Sequence, residues 1–241
     1  MIIAVSRKVV DKMKSKIWVI VGIVVIGLLF LTTMIPQKEE EKVEEDLLGI
    51  DYNIEGNLAT LNYDTTNPVV AMYIKGYGSI VMELYPNIAP NTVNNFISLI
   101  KNGFYDDNTF HRLAKGFVLQ GGDPTGSGNG GPSYTIAGEF KENGFENNLS
   151  HEKWVVSMAR TSADMDSAGS QFFICLEDAT YLDGSYASFG KVIDGFDTIK
   201  LIEKREQVTD TESGALKENL TLVKTVMDLK GKEYPDVDII S

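Results

Sequence analysis

Short apolar runs, several of them β-branched, are separated by glycine-marked turns over most of the chain after residue 68, a pattern typical of short β-strands. The β-branched runs at 69–75 and 79–85 flank Gly76-Tyr77-Gly78, which predicts a β-hairpin. Further strands are predicted at residues 117–120, 154–159, 171–176, 188–193 and 220–229. The polar stretch 207–218 is predicted to be an exposed loop before the last strand.

Two segments have helical periodicity. The first begins at Pro90 and ends at Gly103. Its apolar residues follow i, i+3, i+4, i+7 spacing at Val93, Phe96, Ile97 and Ile100. The second covers residues 196–204, with Phe196, Ile199 and Ile202 on one face. Many short strands with only two helices predict a mainly β domain, an antiparallel barrel or sandwich, over residues 68–235, with a tail at 236–241.

The amino-terminal region has the pattern of a membrane anchor. Residues 17–35 are 19 consecutive uncharged residues, close to the roughly 20 that a helix needs to cross a bilayer. Basic residues precede the run and acidic residues follow it, so the positive-inside rule places residues 1–16 in the cytoplasm and the rest outside. A cleaved signal peptide is the alternative, but the run is long for one and ends without a small-x-small cleavage pattern. We therefore expect an uncleaved single-pass anchor.

Residues 36–67 are predicted to be an acidic linker that follows the anchor. The part at 37–46 has no core-forming periodicity, and its like charges favour an extended, solvated segment. The part at 50–61 leaves two alternatives open: a short amphipathic segment that packs on the domain, or more linker.

Composition narrows the classes of function. An apolar content of 43% can form a packed core, while the net charge of −12 argues against a nucleic-acid partner. The single cysteine, Cys175, lies in an apolar run and is predicted to be a buried, unreactive thiol. No cofactor or metal site is predicted. Gly126, Gly128 and Gly131 match G-x-G-x-x-G, but Pro132 follows at once instead of a helix, which predicts a turn-rich loop.

The run from Phe110 to Gly131 carries the candidate chemistry. It places Arg112, Phe117 and Gln120 on a short apolar strand before a glycine-rich turn, without a nucleophile-and-base pair or a metal-ligand cluster. This composition suits a reaction that breaks no covalent bond. The run also resembles the signature of the cyclophilin prolyl isomerases, which implies a reaction of this kind, rotation about an X-Pro peptide bond with a barrier of about 18–20 kcal/mol.

Three groups would lower that barrier. A cationic donor aimed at the prolyl nitrogen matches Arg112, whose guanidinium stays charged and does not act as a general acid. An apolar pocket for the proline ring matches Phe117, Leu182 and Phe173. A polar anchor for the neighbouring backbone matches Gln120.

Six blocks of sequence, in order, resemble those of the cyclophilin family. They are Phe110-His111-Arg112, Gly116-Phe117, Gln120-Gly121-Gly122-Asp123, Ser157-Met158-Ala159, Gly169-Ser170-Gln171-Phe172-Phe173-Ile174, and Leu182-Asp183-Gly184 with Phe189-Gly190-Lys191-Val192. The resemblance covers about residues 69–227. It implies a closed antiparallel β-barrel with two flanking α-helices, and peptidyl-prolyl cis-trans isomerase activity.

The resemblance also implies roles for individual residues. Arg112, Phe117 and Gln120 match the catalytic set. Substrate contacts are implied for Val118, Ala159, Arg160, Gln171, Phe173, Tyr181, Leu182 and Tyr186. Three of these depart from the best-known eukaryotic pattern. Val118 stands where a methionine is common, Tyr181 stands where a tryptophan is common, and Tyr186 stands where a histidine is common. The Ser-Met-Ala-Arg block and the short loop after it are similar to the bacterial branch. We expect these departures to weaken cyclosporin binding more than catalysis.

Both histidines are predicted to lie outside the chemistry. His111 precedes the arginine within an apolar-flanked motif, which favours a structural, hydrogen-bonded side chain. His151 is in a polar turn and is predicted to be exposed. A hydrolase triad of Ser157 or Ser170 with one histidine is the weaker alternative, because no Gly-x-Ser-x-Gly elbow supports it.

The sequence therefore predicts a membrane-anchored prolyl isomerase that acts on proline-containing polypeptides outside the cytoplasmic membrane, assists their folding, and needs no cofactor. The alternative is a proline-binding module or holdase chaperone that uses the same groove without turnover. Retention of Arg112 favours catalysis, because a binder does not need a donor for the transition state.

Overall fold

The computed structural model describes residues 56–240. The predicted span at 17–35 and most of the predicted linker lie outside these residues. Within residues 56–240, no helix has the length and apolar character needed to cross a membrane.

The described chain forms a closed barrel of eight antiparallel strands. The strands are β1 (Val69–Ile74), β2 (Gly78–Leu84), β3 (Asn108–Ala114), β4 (Val118–Gly121), β5 (Val155–Met158), β6 (Phe172–Cys175), β7 (Ser188–Asp194) and β8 (Ala215–Asp228). Their order around the barrel is β1-β2-β7-β5-β6-β4-β3-β8. The mainly β prediction and the closed barrel with two α-helices are confirmed.

Each face of β1 packs against a different group of apolar side chains. Val70, Met72 and Ile74 belong to the main core inside the barrel. Val69 and Ala71 instead pack in a smaller outer cluster with Leu61. Because successive strand residues point to opposite faces, burial of both faces explains why this strand is apolar throughout.

The segment that precedes β1 covers the outer face of the barrel. Leu61 is 1% exposed, and its backbone N–H donates to Oδ2 of Asp228 at 2.9 Å. Lys230 donates from Nζ to the carbonyl of Leu61 at 2.6 Å, and Asn57 accepts a backbone hydrogen bond from Met227. Of the two alternatives for residues 50–61, the described part therefore packs on the domain. The predicted linker at 36–67 thus extends too far, because its last residues bury the outer face of β1.

Two α-helices flank the barrel, as predicted. Helix α1 (Pro90–Lys101) buries one face on the barrel core and begins at Pro90, with no side-chain cap from Ala89. The Glu139 carboxylate accepts from the N–H groups of Asn91 at 3.0 Å and Thr92 at 2.7 Å, which satisfies two donors of the first turn. Helix α2 (Phe196–Arg205) buries Ile199 and Ile202.

Two strand predictions need correction. The run that contains Arg112, Phe117 and Gln120 is not one strand, because β3 and β4 form a hairpin. The prediction contained only the second of these strands, at residues 117–120. Strand β8 begins at Ala215, so the last part of the predicted loop at 207–218 is strand. Its exposed Lys217, Glu218 and Asn219 resemble a loop in sequence, but the backbone pairs with β3.

The chain after β8 packs along the domain. Tyr234 and Val237 contact the main core. Ile240 and Thr135 exchange two backbone hydrogen bonds of 2.7 and 3.1 Å. The predicted tail at 236–241 is therefore attached to the domain as far as residue 240. It pairs with the loop that precedes the 3₁₀ turn Lys141–Asn143.

Candidate active site

Arg112 lies on β3, directly opposite Gln120 on β4. Its Nε donates to the carbonyl oxygen of Ser213 at 2.7 Å, and Nη1 donates to Oε1 of Gln120 at 3.1 Å. The guanidinium carbon is 5.8 Å from the centre of the Phe117 ring. Burial lowers the pKa of Arg112, while nearby Tyr186 and Tyr181 oppose the shift. An arginine nevertheless keeps its charge in proteins.

Gln120 continues the hydrogen bonds from Arg112 towards the glycine-rich loop. Its Nε2 donates to Oε1 of Gln171 at 3.0 Å. Gln171 in turn donates from Nε2 to the carbonyls of Gly128 at 3.0 Å and Gly130 at 2.9 Å. These hydrogen bonds, called the relay Arg112–Gln120–Gln171, connect the cationic donor to the loop. They run from β3 through β4 to the residue directly before β6.

An apolar cluster, which we interpret as the expected apolar pocket, lies beside Arg112. Its buried residues are Val118, Phe173, Cys175 and Ala179, and its partly exposed residues include Ala114, Phe117, Ala159, Leu182 and Tyr186. The Phe117 ring stacks on Tyr181 with centroids 5.9 Å apart, and Phe173 meets Tyr186 edge to face at 5.8 Å. Tyr181 is 71% exposed and forms the rim. The structure thus brings every sequence-predicted residue to Arg112, its hydrogen-bond relay or the pocket, with Arg160 at the margin, where its guanidinium lies over the Tyr186 ring.

Arg160 lies on the other side of Ala159 and lines an adjacent cavity of about 310 Å³. Gln120, Ala159 and Gln171 line the same cavity. The cavity and the apolar pocket share Ala159, so they are adjacent, and we call the two together the groove.

Asp123 organises the glycine-rich loop. Its carboxylate is fully buried and accepts from the backbone N–H groups of Thr125 at 2.7 Å and Gly128 at 2.6 Å. Burial alone would raise the pKa of Asp123, but hydrogen bonds from Gly130, Thr125 and Gly128 outweigh burial and lower the pKa to about 2. The prediction of a loop instead of a dinucleotide-binding helix is confirmed, because residues 132–140, which follow Gly131 directly, contain no helix.

His151 is not exposed, contrary to the prediction. The side chain is 1% exposed, with Nδ1 2.8 Å from Oδ1 of Asp183 and Nε2 3.0 Å from Oγ of Ser157. The ring also stacks on Phe173 at 6.0 Å. A carboxylate only accepts, so Nδ1–H donates to Asp183 and Nε2 accepts from Ser157. In the sequence, the only indication of a partner for His151 was the Leu182-Asp183 block, and the contact between Asp183 and His151 became visible only in the structure.

The order Ser157–His151–Asp183 is that of a hydrolase triad, yet it lies behind the pocket wall. Ser157 is fully buried and His151 almost so, and therefore a substrate carbonyl cannot reach the serine. Burial lowers the pKa of His151, although the hydrogen bond to Asp183 opposes this shift. We interpret the three residues as a support for Phe173.

The prediction for His111 is also wrong in one respect. The side chain is buried, but Nδ1 has no hydrogen-bond partner within the described residues. The ring lies against the glycine-rich loop at Gly128, and burial lowers the pKa of His111. Cys175 is buried as predicted, and burial raises the pKa of its thiol to about 12.

The arrangement limits the chemistry that the groove can perform. A cationic donor lies at the edge of the apolar pocket, and both Ser157 and Cys175 are buried. Between residues 56 and 240, no group of three or more His, Cys, Asp or Glu side chains could hold a metal ion. The site therefore places a fixed cation beside an apolar surface, an arrangement suited to holding an apolar residue of a substrate and polarising a group next to it.

Comparison with known proteins identifies the family. The family model for cyclophilin type peptidyl-prolyl cis-trans isomerase/CLD matches residues 69–227. Peptidyl-prolyl cis-trans isomerase B of Bacillus subtilis is 49% identical over 121 residues, which cover 50% of this chain and 80% of the relative. Peptidyl-prolyl cis-trans isomerase-like 1 of Gibberella zeae is 44% identical over 137 residues, covering 56% of this chain and 80% of the relative.

A solved structure has the same fold. It is a Cryptosporidium parvum cyclophilin type isomerase in the presence of the dipeptide Ala-Pro, with a TM-score of 0.58 and 33% identity, and the match covers 66% of this chain and 97% of that one. The chain belongs to the cyclophilin family and is a peptidyl-prolyl cis-trans isomerase.

Proposed function

We propose that Arg112 lowers the barrier to X-Pro rotation by donating a hydrogen bond to the prolyl nitrogen. That nitrogen loses its amide resonance in the twisted transition state and becomes a better acceptor. The observation that carries the proposal is the position of the Arg112 guanidinium, which hydrogen bonds hold beside Phe117 at the edge of the apolar pocket. Two of its five N–H groups have partners among the described residues, and the other three can reach a substrate.

The remaining groove residues would bind the peptide. Phe117, Phe173 and Leu182 would hold the proline ring, and exclusion of water there would strengthen the hydrogen bond from Arg112. Gln120 and Ala159 would contact the substrate backbone. Val118 forms part of the pocket base, and Tyr181 and Tyr186 form part of the rim. No proton transfer is required at any step.

Kinetics of an Arg112→Ala variant test this assignment. We expect exchange NMR of a short Ala-Pro peptide to show catalysis by the full chain in mild detergent and a loss of about 100-fold in the variant. Arg112→Lys should recover only part of the loss, because a lysine lacks the planar fork. Lys217→Gln, an exposed change on β8, serves as control for charge. Equal activity in the parent and Arg112→Ala would refute the role of Arg112.

The alternative is a proline-binding module or holdase that uses the same groove without turnover. The exposed Tyr181 rim favours it as a second role, because an aromatic rim can bind unfolded chains whether or not Arg112 acts. Arg112→Ala separates the two functions. Suppression of aggregation that survives in this variant would indicate a holdase role.

We further propose that the enzyme is a bacterial-branch cyclophilin that residues 17–35 anchor to the membrane, with the domain outside the cytoplasm. The apolar run, the basic residues before it and the acidic residues after it support this location. The clients would then be secreted or envelope proteins whose folding waits for slow X-Pro isomerisation. Val118 and Tyr181 favour weak cyclosporin binding.

Protease added to intact cells tests the topology. We expect it to degrade the domain while a cytoplasmic control protein stays intact. Protection of the domain in intact cells, together with degradation after the cells are broken, would contradict the orientation.

A further inference from the structure

We propose that Arg160 selects substrates that carry a carboxylate side chain near the isomerising proline. The inference depends on the proposed substrate groove and adds a substrate class to it. It comes from the cavity next to the proline pocket, which holds a single fixed cation among neutral groups.

The Arg160 guanidinium is held in place. Its Nε donates to the carbonyl of Ser185 at 2.8 Å, and Nη1 donates to the carbonyl of Thr161 at 2.9 Å. The guanidinium carbon also lies over two aromatic rings, 5.2 Å from the centre of Phe140 and 4.9 Å from that of Tyr186. Such contacts fix the plane of an arginine, so little further ordering is needed when a planar partner binds.

No acidic group in residues 56–240 pairs with this cation. Within the described part of the chain, no carboxylate oxygen lies within 4.0 Å of Arg160. Asp166, on the nearby loop, instead accepts from Gly138 and Asn143. Arg160 has five N–H groups, of which two are used, so Nη2 and one N–H of Nη1 remain. These are adjacent donors that match the two oxygens of a carboxylate.

The cavity offers this cation to the substrate. Apart from Arg160, its lining contains only neutral side chains, such as Asn129, Thr135, Thr161 and Gln171. Its volume of about 310 Å³ is large enough for a Glu or Asp side chain. Ala159 belongs both to the cavity lining and to the apolar pocket, and the Arg160 guanidinium lies over Tyr186 of that pocket. A residue close to the proline would therefore reach Arg160.

Peptides that differ in one side chain test the proposal. Each contains a single proline, with Glu or the isosteric Gln at one of four positions, two on each side. The full chain in mild detergent is compared with Arg160→Gln, with Arg160→Lys, and with Lys217→Gln as a matched loss of one exposed charge. Both kcat/KM by exchange NMR and Kd by fluorescence anisotropy are measured, and thermal unfolding verifies that each variant folds.

We expect the parent and Lys217→Gln to prefer Glu over Gln by about fivefold at one position, which corresponds to about 1 kcal/mol. The preference should disappear in Arg160→Gln, remain in part in Arg160→Lys, and weaken at 0.5 M salt. Equal Kd values for Glu and Gln peptides at all four positions, or a preference that persists in Arg160→Gln, would overturn the proposal. Activity on the Gln peptides reports separately on the isomerase, so a failed preference is distinct from a failed enzyme.

Discussion

Arg112 and Gln120 are direct partners across the β3–β4 pair, and Nη1 of Arg112 donates to Oε1 of Gln120 at 3.1 Å. The glutamine was expected to anchor the substrate backbone. In the folded protein it also orients the proposed catalytic cation and passes a hydrogen bond to Gln171. The second N–H of its Nε2 has no partner among the described residues, so a substrate carbonyl can accept from Gln120 while Oε1 stays bonded to Arg112.

We predict that Gln120→Ala lowers kcat by about tenfold, because one hydrogen bond to a charged group contributes about 1.5 kcal/mol. Gln120→Glu should also lower kcat, since the new carboxylate pairs with Arg112 and competes with the prolyl nitrogen. Exchange NMR at saturating peptide measures both effects, with the exposed Gln207→Ala as control. A kcat for Gln120→Ala equal to that of the parent would show that Gln120 does not position Arg112.

Acid stability is predicted to depend on Asp123. Its folded pKa of about 2 lies below its ordinary value of 3.8, so its contribution to stability is present above pH 4 and is lost as the pH falls towards 2. The stability deficit of Asp123→Asn should therefore shrink by about 2 kcal/mol between pH 5 and pH 2. Urea midpoints over this range measure it, with the exposed Asp236→Asn as control. A deficit that does not change with pH would be inconsistent with this assignment.

Stability should also fall as the pH drops below about 6.5, the ordinary pKa of histidine. Burial lowers the folded pKa of His151 and of His111, so the unfolded chain binds more protons in this range. We expect His151→Gln and His111→Gln each to flatten the dependence of the urea midpoint on pH between 7 and 5, and the double variant to flatten it most. An unchanged slope in the double variant would disprove this explanation.

Glu139 is predicted to stabilise the first turn of α1. Its carboxylate accepts from Asn91 and Thr92 and lies at the positive end of the helix dipole. Glu139→Gln keeps the shape but loses the charge, and we expect it to lower the free energy of unfolding by about 1–3 kcal/mol. The exposed Glu142→Gln, three residues along, is the control. Similar urea midpoints for the two variants would rule out this capping role.

Short apolar runs between glycine-marked turns predicted most strands, because a strand that is buried in the domain is recognisable from its own residues. The hairpin of β3 and β4 was harder to predict. Lys115-Gly116-Phe117 forms its turn in a run that is apolar on both sides, so the pattern did not show where one strand ends and the next begins. The start of β8 was missed for the opposite reason, since its exposed face is polar and its partners lie about 100 residues away.

The residues of the candidate site also fall into two groups, those that the sequence predicted and those that come together only in the folded protein. The resemblance of six ordered blocks to the cyclophilin family indicated Arg112, Phe117 and Gln120, together with the walls of the proline pocket, whereas each of these residues alone is common in a strand or a core. The support behind the pocket was not predicted, since His151, Ser157 and Asp183 come together only through packing. The cavity at Arg160 likewise exists only where the glycine-rich loop meets the end of β5.

By itself, the sequence determined the barrel class, the family, the proposed catalytic cation and the proposed membrane anchor. Each of these depends on local periodicity, on charge, or on short motifs that survive without knowledge of the fold. Only the tertiary structure decided which polar groups are satisfied and which are available. It buried the two histidines, paired Arg112 with Gln120, and left Arg160 without an acidic partner among the described residues, because hydrogen bonding and burial depend on contacts between residues far apart in the chain.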